Sequence, residues 1–330
     1  MQTTPSLPLR RFLRSLLALA LAAGFAATPS RAADARPVPV ILDTDIGDDI
    51  DDTWALGMLL NCPELSLKLV VGDQGKNLYR ARLIAKFLER AGRTDVPVGI
   101  GMDVNATGDG RQAAWAAGYN LNTYPGRIFP DGVQAMIDLI MESPEPVTLI
   151  AIGPMPNVAE ALRREPRIAA KARFVGMHGS VRKGYGNSDQ ISPEYNVRAD
   201  AKACQLALSA AWPATITPLD TCGMVQLTGA DYARVRDSKA AIPVAIMENY
   251  RIWLEANRKD QAGRQSSTLF DTVAVYLAYS EALAGIEPLN ILVTDDGFTR
   301  INERGNRLRV ATTWKDLPAY HRHLADRLVK

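Results

Sequence analysis

Val38-Pro39-Val40-Ile41-Leu42-Asp43-Thr44-Asp45-Ile46-Gly47-Asp48-Asp49-Ile50-Asp51-Asp52 runs an apolar stretch straight into six aspartates within ten residues. The apolar half reads as a buried strand of a parallel sheet. The acidic half would repel itself on a short loop unless a positive charge sat among the carboxylates. Carboxylate oxygens are hard donors, so the counter-charge they suit is Ca²⁺ or Mg²⁺. In α/β proteins ligands bind beyond the carboxyl ends of the strands, which makes this loop the expected centre of an active site.

Outward from that loop, strand-like and helix-like segments alternate. Strands are expected at 38–42, 67–71, 96–100, 147–152, 173–177 and 214–217, and helices at 53–61, 77–91, 132–142, 157–164 and 199–211. Such alternation predicts a single Rossmann-like α/β domain with a mainly parallel central sheet flanked by helices. Residues 102–130, rich in Gly, Asn, Tyr and Trp, have no period and read either as a mobile loop near the site or as a surface insertion. A second glycine-rich loop spans 179–193, and further helices are expected at 243–258 and 267–284. Asp295-Asp296-Gly297 reads as a hairpin turn joining strands at 289–293 and 308–311.

The first 32 residues stand outside this pattern. Arg10, Arg11 and Arg14 precede an apolar run from Leu16 to Ala27, and Ser30-Arg31-Ala32 reads as a cleavage site. That is a secretory signal pattern, too short in its core to span a bilayer, and it predicts export to a periplasm-like space with residues 33–330 as the mature domain. Removing it takes away four arginines and no acids, leaving 34 basic side chains against 36 acidic ones. The basic balance of the whole chain therefore gives no reason to expect a nucleic-acid partner, and no later segment suggests a membrane one. Cys62, Cys204 and Cys222 fit no zinc spacing and no disulfide framework, so inert cysteines are expected.

The aspartate loop resembles the N-terminal signature of the nucleoside hydrolases, the inosine–uridine-preferring family of N-ribohydrolases. Other segments match in order: Asp131-Gly132-Val133, then Gly153-Pro154-Met155-Pro156-Asn157 where the family has Gly-Pro-Leu-Thr-Asn, then Glu194-Tyr195-Asn196-Val197 beside the family's Glu-Phe-Asn, and Leu269-Phe270-Asp271. The resemblance covers roughly residues 38–311. It implies a Ca²⁺-dependent enzyme that binds a small nucleoside and splits it into ribose and free base, and a homodimer or homotetramer. By resemblance, Asp45 is metal ligand and general base, Asp52 and Asp271 bind the metal, and Pro156 lends a backbone carbonyl, a role indifferent to its side chain. Asp51, Asp73, Glu194 and Asn196 would hold ribose hydroxyls, and Asn187 the 5′ end of the sugar. The chemistry needs such residues: an oxocarbenium-like transition state wants an activated water, a grip on the hydroxyls and relief for the departing base.

Several departures mark this chain. Three residues rather than one separate Gly47 from Asp51-Asp52, which leaves the alignment of the aspartates on the metal open and makes Asp49 the reserve ligand. Asp73 stands where the family has an asparagine, and a carboxylate there accepts but does not donate. Phe270 stands where many members carry a histidine assigned to protonate the base; His178 and Tyr185 are the alternative acids, and aromatic stacking is another aid. Plainer roles are the helix-capping of Glu194 and Asn196, a helix N-terminal charge for Asp271, a turn position for Asp73, a structural role for His178, core packing for Trp54 and Trp253, and solvated positions for His321 and His323. Trp115 is balanced between stacking and core. Two rival functions remain: a haloacid-dehalogenase-type phosphatase using Asp43-Thr44-Asp45 with Asp295-Asp296, and a secreted nucleoside-binding protein without turnover.

Overall fold

Every residue of β1 (Val38–Thr44) from Val40 onward is buried, so the strand has no wet face and belongs mid-sheet. The computed structural model describes residues 36–330, of which Pro37–Lys330 is one compact unit; the export segment lies outside the described residues. Chain order continues with β2 (Leu65–Gly72), β3 (Val98–Gly99), β4 (Ile128–Phe129), β5 (Val147–Ala151), β6 (Ala172–Met177), β7 (Ala214–Thr217), β8 (Ala284–Val293), β9 (Thr299–Ile301) and β10 (Asn306–Trp314). They form one sheet in the order β4-β3-β2-β1-β5-β6-β7-β10-β8-β9. Pairing is parallel from β4 across to β10 and antiparallel only in β10–β8 and β8–β9. The expected α/β class with a mainly parallel sheet is thus observed.

Alternation along β1 divides the core. Val40 and Leu42 pack with the helices Asp51–Leu60, Asn77–Arg90 and Ala241–Ala256 on one face. Ile41 joins the opposite layer, made by Gly132–Glu142, Pro156–Arg164 and Ala201–Ser209. Trp54, Trp253 and also Trp115 are buried in the first layer; Trp115 leans on Phe87 and donates to Glu248, so it is no substrate stacker. All three cysteines are buried and unpaired. Among the described residues no helix is long and apolar enough to cross a membrane.

The C-terminal third departs from the sequence-based expectation. Only Thr272–Leu277 of the segment 267–284 is helical. Upstream, Ser266 and Leu269 donate their amides to Leu227 and Val225, and this pairing keeps the chain extended. The Asp295-Asp296-Gly297 turn joins β8 to the short β9, not to residues 308–311, which lie in β10 on the other edge of β8. His321 and His323 are half-buried rather than solvated, with His323 Nε2 2.6 Å from the Tyr279 hydroxyl.

Candidate active site

β1, β5 and β6 are neighbours in mid-sheet, and their carboxyl ends open onto a cavity of about 490 Å³. Asp45 follows β1, Ile152 follows β5, and Met177 closes β6; all three line the wall. Seven carboxylates among the described residues face this space, those of Asp45, Asp48, Asp49, Asp51, Asp52, Glu194 and Asp271, against one cation, Arg111. A surplus of that size in a buried place calls for a bound positive charge.

The two extra residues of the loop explain how the aspartates are sorted. Asp48 and Asp49 form the added turn, and Asp51-Asp52 open the helix Asp51–Leu60 with both side chains buried. Asp49 is exposed and accepts from its neighbour Ile50's amide at 2.7 Å, so the reserve ligand stands at the rim. Asp51, Asp52 and Asp271 each present an oxygen within 4.8 Å of the others'. Asp271 arrives there from the start of the helix Thr272–Leu277, far downstream in the chain. Asp51, expected as a ribose contact, lines the cavity and also belongs to this acidic trio. Thr44 Oγ1 donates to Asp52 Oδ1 and fixes that carboxylate.

Burial pushes the carboxyls of Asp51, Asp52 and Asp271 well above the usual range, and their neighbouring acids push the same way. Burial likewise raises Asp45 to about 8, opposed chiefly by Arg80. Hard oxygen donors that repel one another until a cation arrives fit a divalent metal ion.

Arg80, overlooked in the sequence, organises the loop. It is 2 % exposed and sits on the buried stripe of the helix Asn77–Arg90 with Leu83, Ile84 and Phe87. Its Nη1 donates to the carbonyls of Asp45 and, at 2.9 Å, Ile46; its Nε donates to Gln74 O at 2.5 Å, and its Nη2 to Asp48 Oδ2 at 2.8 Å. A planar five-donor fork is the one side chain able to serve several acceptors set at such angles.

Glycine is required next to Asp45. A Cβ on Gly153 would lie 2.8 Å from Asp73 Oδ2 and 3.2 Å from Asp45 Cβ. Asp73 itself does not line the cavity. Its Oδ2 instead accepts the amide of Met155 at 2.8 Å, pinning a residue at φ 70° in the turn ahead of Pro156. Burial raises Asp73 to about 7. Pro156 is buried at the first position of the helix Pro156–Arg164, in the turn that Asp73 braces. Asn187, expected at the sugar's 5′ end, is exposed at φ 61° in its glycine loop and also lies off the wall.

Glu194 and Asn196 do reach the cavity. Glu194 caps the helix Tyr195–Ala199, accepting from Asn196 N at 2.8 Å and Val197 N at 3.3 Å, and also takes Gly179 N at 2.9 Å. Capping and cavity-lining are thus the same carboxylate, raised to about 7 by burial. Asn196 Nδ2 bridges the carbonyls of Ile152 and Met177 at 3.2 and 3.0 Å, tying the ends of β5 and β6.

Both rival acids resolve. His178 is fully buried, lies off the cavity wall, and has Nε2 2.9 Å from the Gly153 carbonyl, with burial lowering it to about 4. Tyr185 lines the cavity edge-on to Phe270, with ring centroids 6.2 Å apart. Residues 102–130, rather than floating, close one side: Thr107 and Arg111 line the cavity, and the buried Gln112 donates to Asp49 O at 2.7 Å while accepting from Thr53 Oγ1 at 2.9 Å. The phosphatase layout fails, because Asp43 is wholly buried under Asn157 at 2.8 Å and Asp295 pairs with Lys202 on the surface.

Comparison with known proteins agrees with this geometry. The family model described as inosine-uridine preferring nucleoside hydrolase matches residues 40–320. The chain belongs to that family. It is 30 % identical over 248 residues to the pyrimidine-specific ribonucleoside hydrolase RihA of Enterobacter sp. (strain 638), covering 72 % of this chain and 78 % of the relative. With the RihA of Salmonella arizonae it shares 29 % over 268 residues, 76 % and 82 % of the two chains. Among solved structures it resembles the plant nucleoside hydrolase PpNRh1, with TM-score 0.75, 20 % identity and coverage of 89 % and 99 %. It also resembles a purine-preferring ribonucleoside hydrolase from Gardnerella vaginalis, with TM-score 0.72, 23 % identity and coverage of 88 % and 98 %. The protein is therefore a nucleoside hydrolase, an enzyme of the N-glycosyl hydrolase class, and its acidic cavity is the candidate active site.

Proposed function

We propose that this nucleoside hydrolase is an exported, Ca²⁺-dependent enzyme that releases ribose and free base from ribonucleosides. The observation that carries the reading is the convergence of Asp51, Asp52 and Asp271 in a cavity at the carboxyl edge of the sheet. Those three, with Asp45 beside Asp52, would hold the ion. When bound, it would lower the pKa of a water and orient the ribose diol. Asp45 takes the proton as the water attacks C1′ from below, with inversion. Glu194 and Asn196 hold hydroxyls of the ribose, each already oriented by backbone partners. The carboxylate charge left over once the ion is bound favours the oxocarbenium character of an electron-poor sugar. Base preference is that of the cavity's outer end, where Phe270, Tyr185 and Arg111 meet. Export rests on Arg10, Arg11 and Arg14 ahead of the apolar run, with residues 33–330 as the mature enzyme.

Chelation tests the metal. Protein stripped with a chelator is expected to lose ribose release by about a thousandfold or more, since without the ion no potent nucleophile forms at neutral pH. Added Ca²⁺ restores it. Full activity in metal-free protein, confirmed by elemental analysis, would overturn the reading.

A further inference from the structure

Departure of the base is the step for which the cavity offers, among the described residues, no histidine, only the phenols of Tyr185 and Tyr195, which are weak acids at neutral pH. Breaking the C1′–N bond leaves its electron pair on the base, and that charge must be offset. Phe270 has no proton to give, and His178 is sealed beneath the sheet edge with its Nε2 on Gly153 O. The carboxylates Asp51, Asp52 and Asp271 are gathered where an ion would be held, with Asp45 near Asp52. One cation remains on the wall among the described residues, Arg111. It stands where the cavity meets a second, polar one of about 360 Å³ that Asp49, Phe270 and Lys259 also line. Asp49 feels its charge, yet unlike Arg80, Arg111 is held by no hydrogen bond or ion pair to a described residue, so its guanidinium donors are uncommitted. Its backbone is nonetheless held, because the next residue, Gln112, is wholly buried and anchored to Asp49 O and Thr53.

We propose that Arg111 offsets the charge of the departing base, donating hydrogen bonds to a carbonyl oxygen or ring nitrogen of the base as the C1′–N bond breaks. A permanent cation here replaces a proton donor. The hydroxyl of the attacking water joins C1′ and its proton goes to Asp45. The base anion, held by Arg111, takes a proton from solvent, and Asp45 returns its own, so one water is consumed. A guanidinium carries donors only, so it suits a base edge of acceptors, such as a carbonyl of uracil or O6 and N7 of hypoxanthine, better than adenine, whose N6 amine beside N7 is itself a donor. The inference rests on the nucleoside-hydrolase reading and deepens it.

The test compares uridine and inosine with p-nitrophenyl β-D-ribofuranoside, whose phenolate leaves without help. Arg111→Met is expected to lower kcat on the nucleosides about a hundredfold, the usual cost of removing one donor from a developing charge, and to change the aryl riboside by less than about threefold. Arg111→Lys is expected to recover part of the loss, and the melting temperature to stay put because Arg111 is exposed. Equal losses on both substrate types, or no loss on either, would overturn the proposal. A selective loss in Tyr185→Phe with none in Arg111→Met would also overturn it, giving the role to the tyrosine. Wild-type protein that cleaves no riboside would sink the underlying hydrolase reading, a result separable from the others because it appears before any substitution.

Discussion

Asp45→Asn is expected to lower ribose release by about a thousandfold, the scale of a lost general base, while leaving the protein folded. The amide keeps the shape of the side chain but takes no proton from the attacking water. The surroundings tolerate it, since Asp45 lies close to Asp52 and Asp73 and loses repulsion when neutral. Stability should respond as well. In metal-free protein the carboxyl is raised from 3.8 to about 8 by burial, so the folded state binds its proton more tightly than the unfolded chain does. Its ionisation therefore weakens the fold progressively as pH rises from about 4 to 8. Metal-free Asp45→Asn should lose less stability than wild type over that window, as thermal melts across the pH range would show. Asp45→Asn with wild-type turnover would exclude Asp45 as the base.

Arg80→Met is expected to remove activity almost as fully without touching the substrate. Three carbonyls and Asp48 share that guanidinium, and a thioether serves none of them. Losing a buried charge from such a set costs about 3 kcal/mol of stability. The loop carrying Asp45 would also shift, and a displacement near 1 Å at reacting groups costs about a hundredfold in rate. Arg80→Lys should rescue little, because an ammonium cannot span acceptors on two sides. The discriminating measurement is kcat at a temperature well below the melting point of the variant. A fall in melting temperature with unchanged kcat would make Arg80 a structural residue only.

Much of this was legible in the sequence, and the reasons for the remainder are physical. β1, its parallel neighbours and the position of the acidic loop follow from an unbroken apolar run ending in charge, which has one stable home in an α/β sheet. Asp45, Asp52, Asp271, Glu194 and Asn196 all reach the cavity as their motifs implied. The sorting of Asp49 from Asp51 was not legible, because it depends on where the helix begins after a two-residue insertion. Asp73 shows a related limit: a polar side chain at a strand end can face the ligand or brace the adjoining turn, and here Asp73 braces Met155. Asn187 shows the opposite limit, since a glycine loop's sequence does not say which residue turns inward.

Arg80 did leave a signal, an arginine on an otherwise apolar helical stripe, which is seldom present without a buried partner. Arg111 left none, because its segment has no period and its place follows from the anchoring of Gln112 on the far side of the loop. The helix expected at 267–284 failed where pairing with Val225 and Leu227 overrode local propensity.

The decisive measurement is the release of reducing sugar and free base from a panel of purine and pyrimidine ribonucleosides, with phosphate release from phosphomonoesters assayed in parallel. Residues 33–330 with Ca²⁺ should yield ribose and base in equal amounts from at least one nucleoside and no phosphate. Tight nucleoside binding without either product, or phosphate in place of ribose, would contradict it.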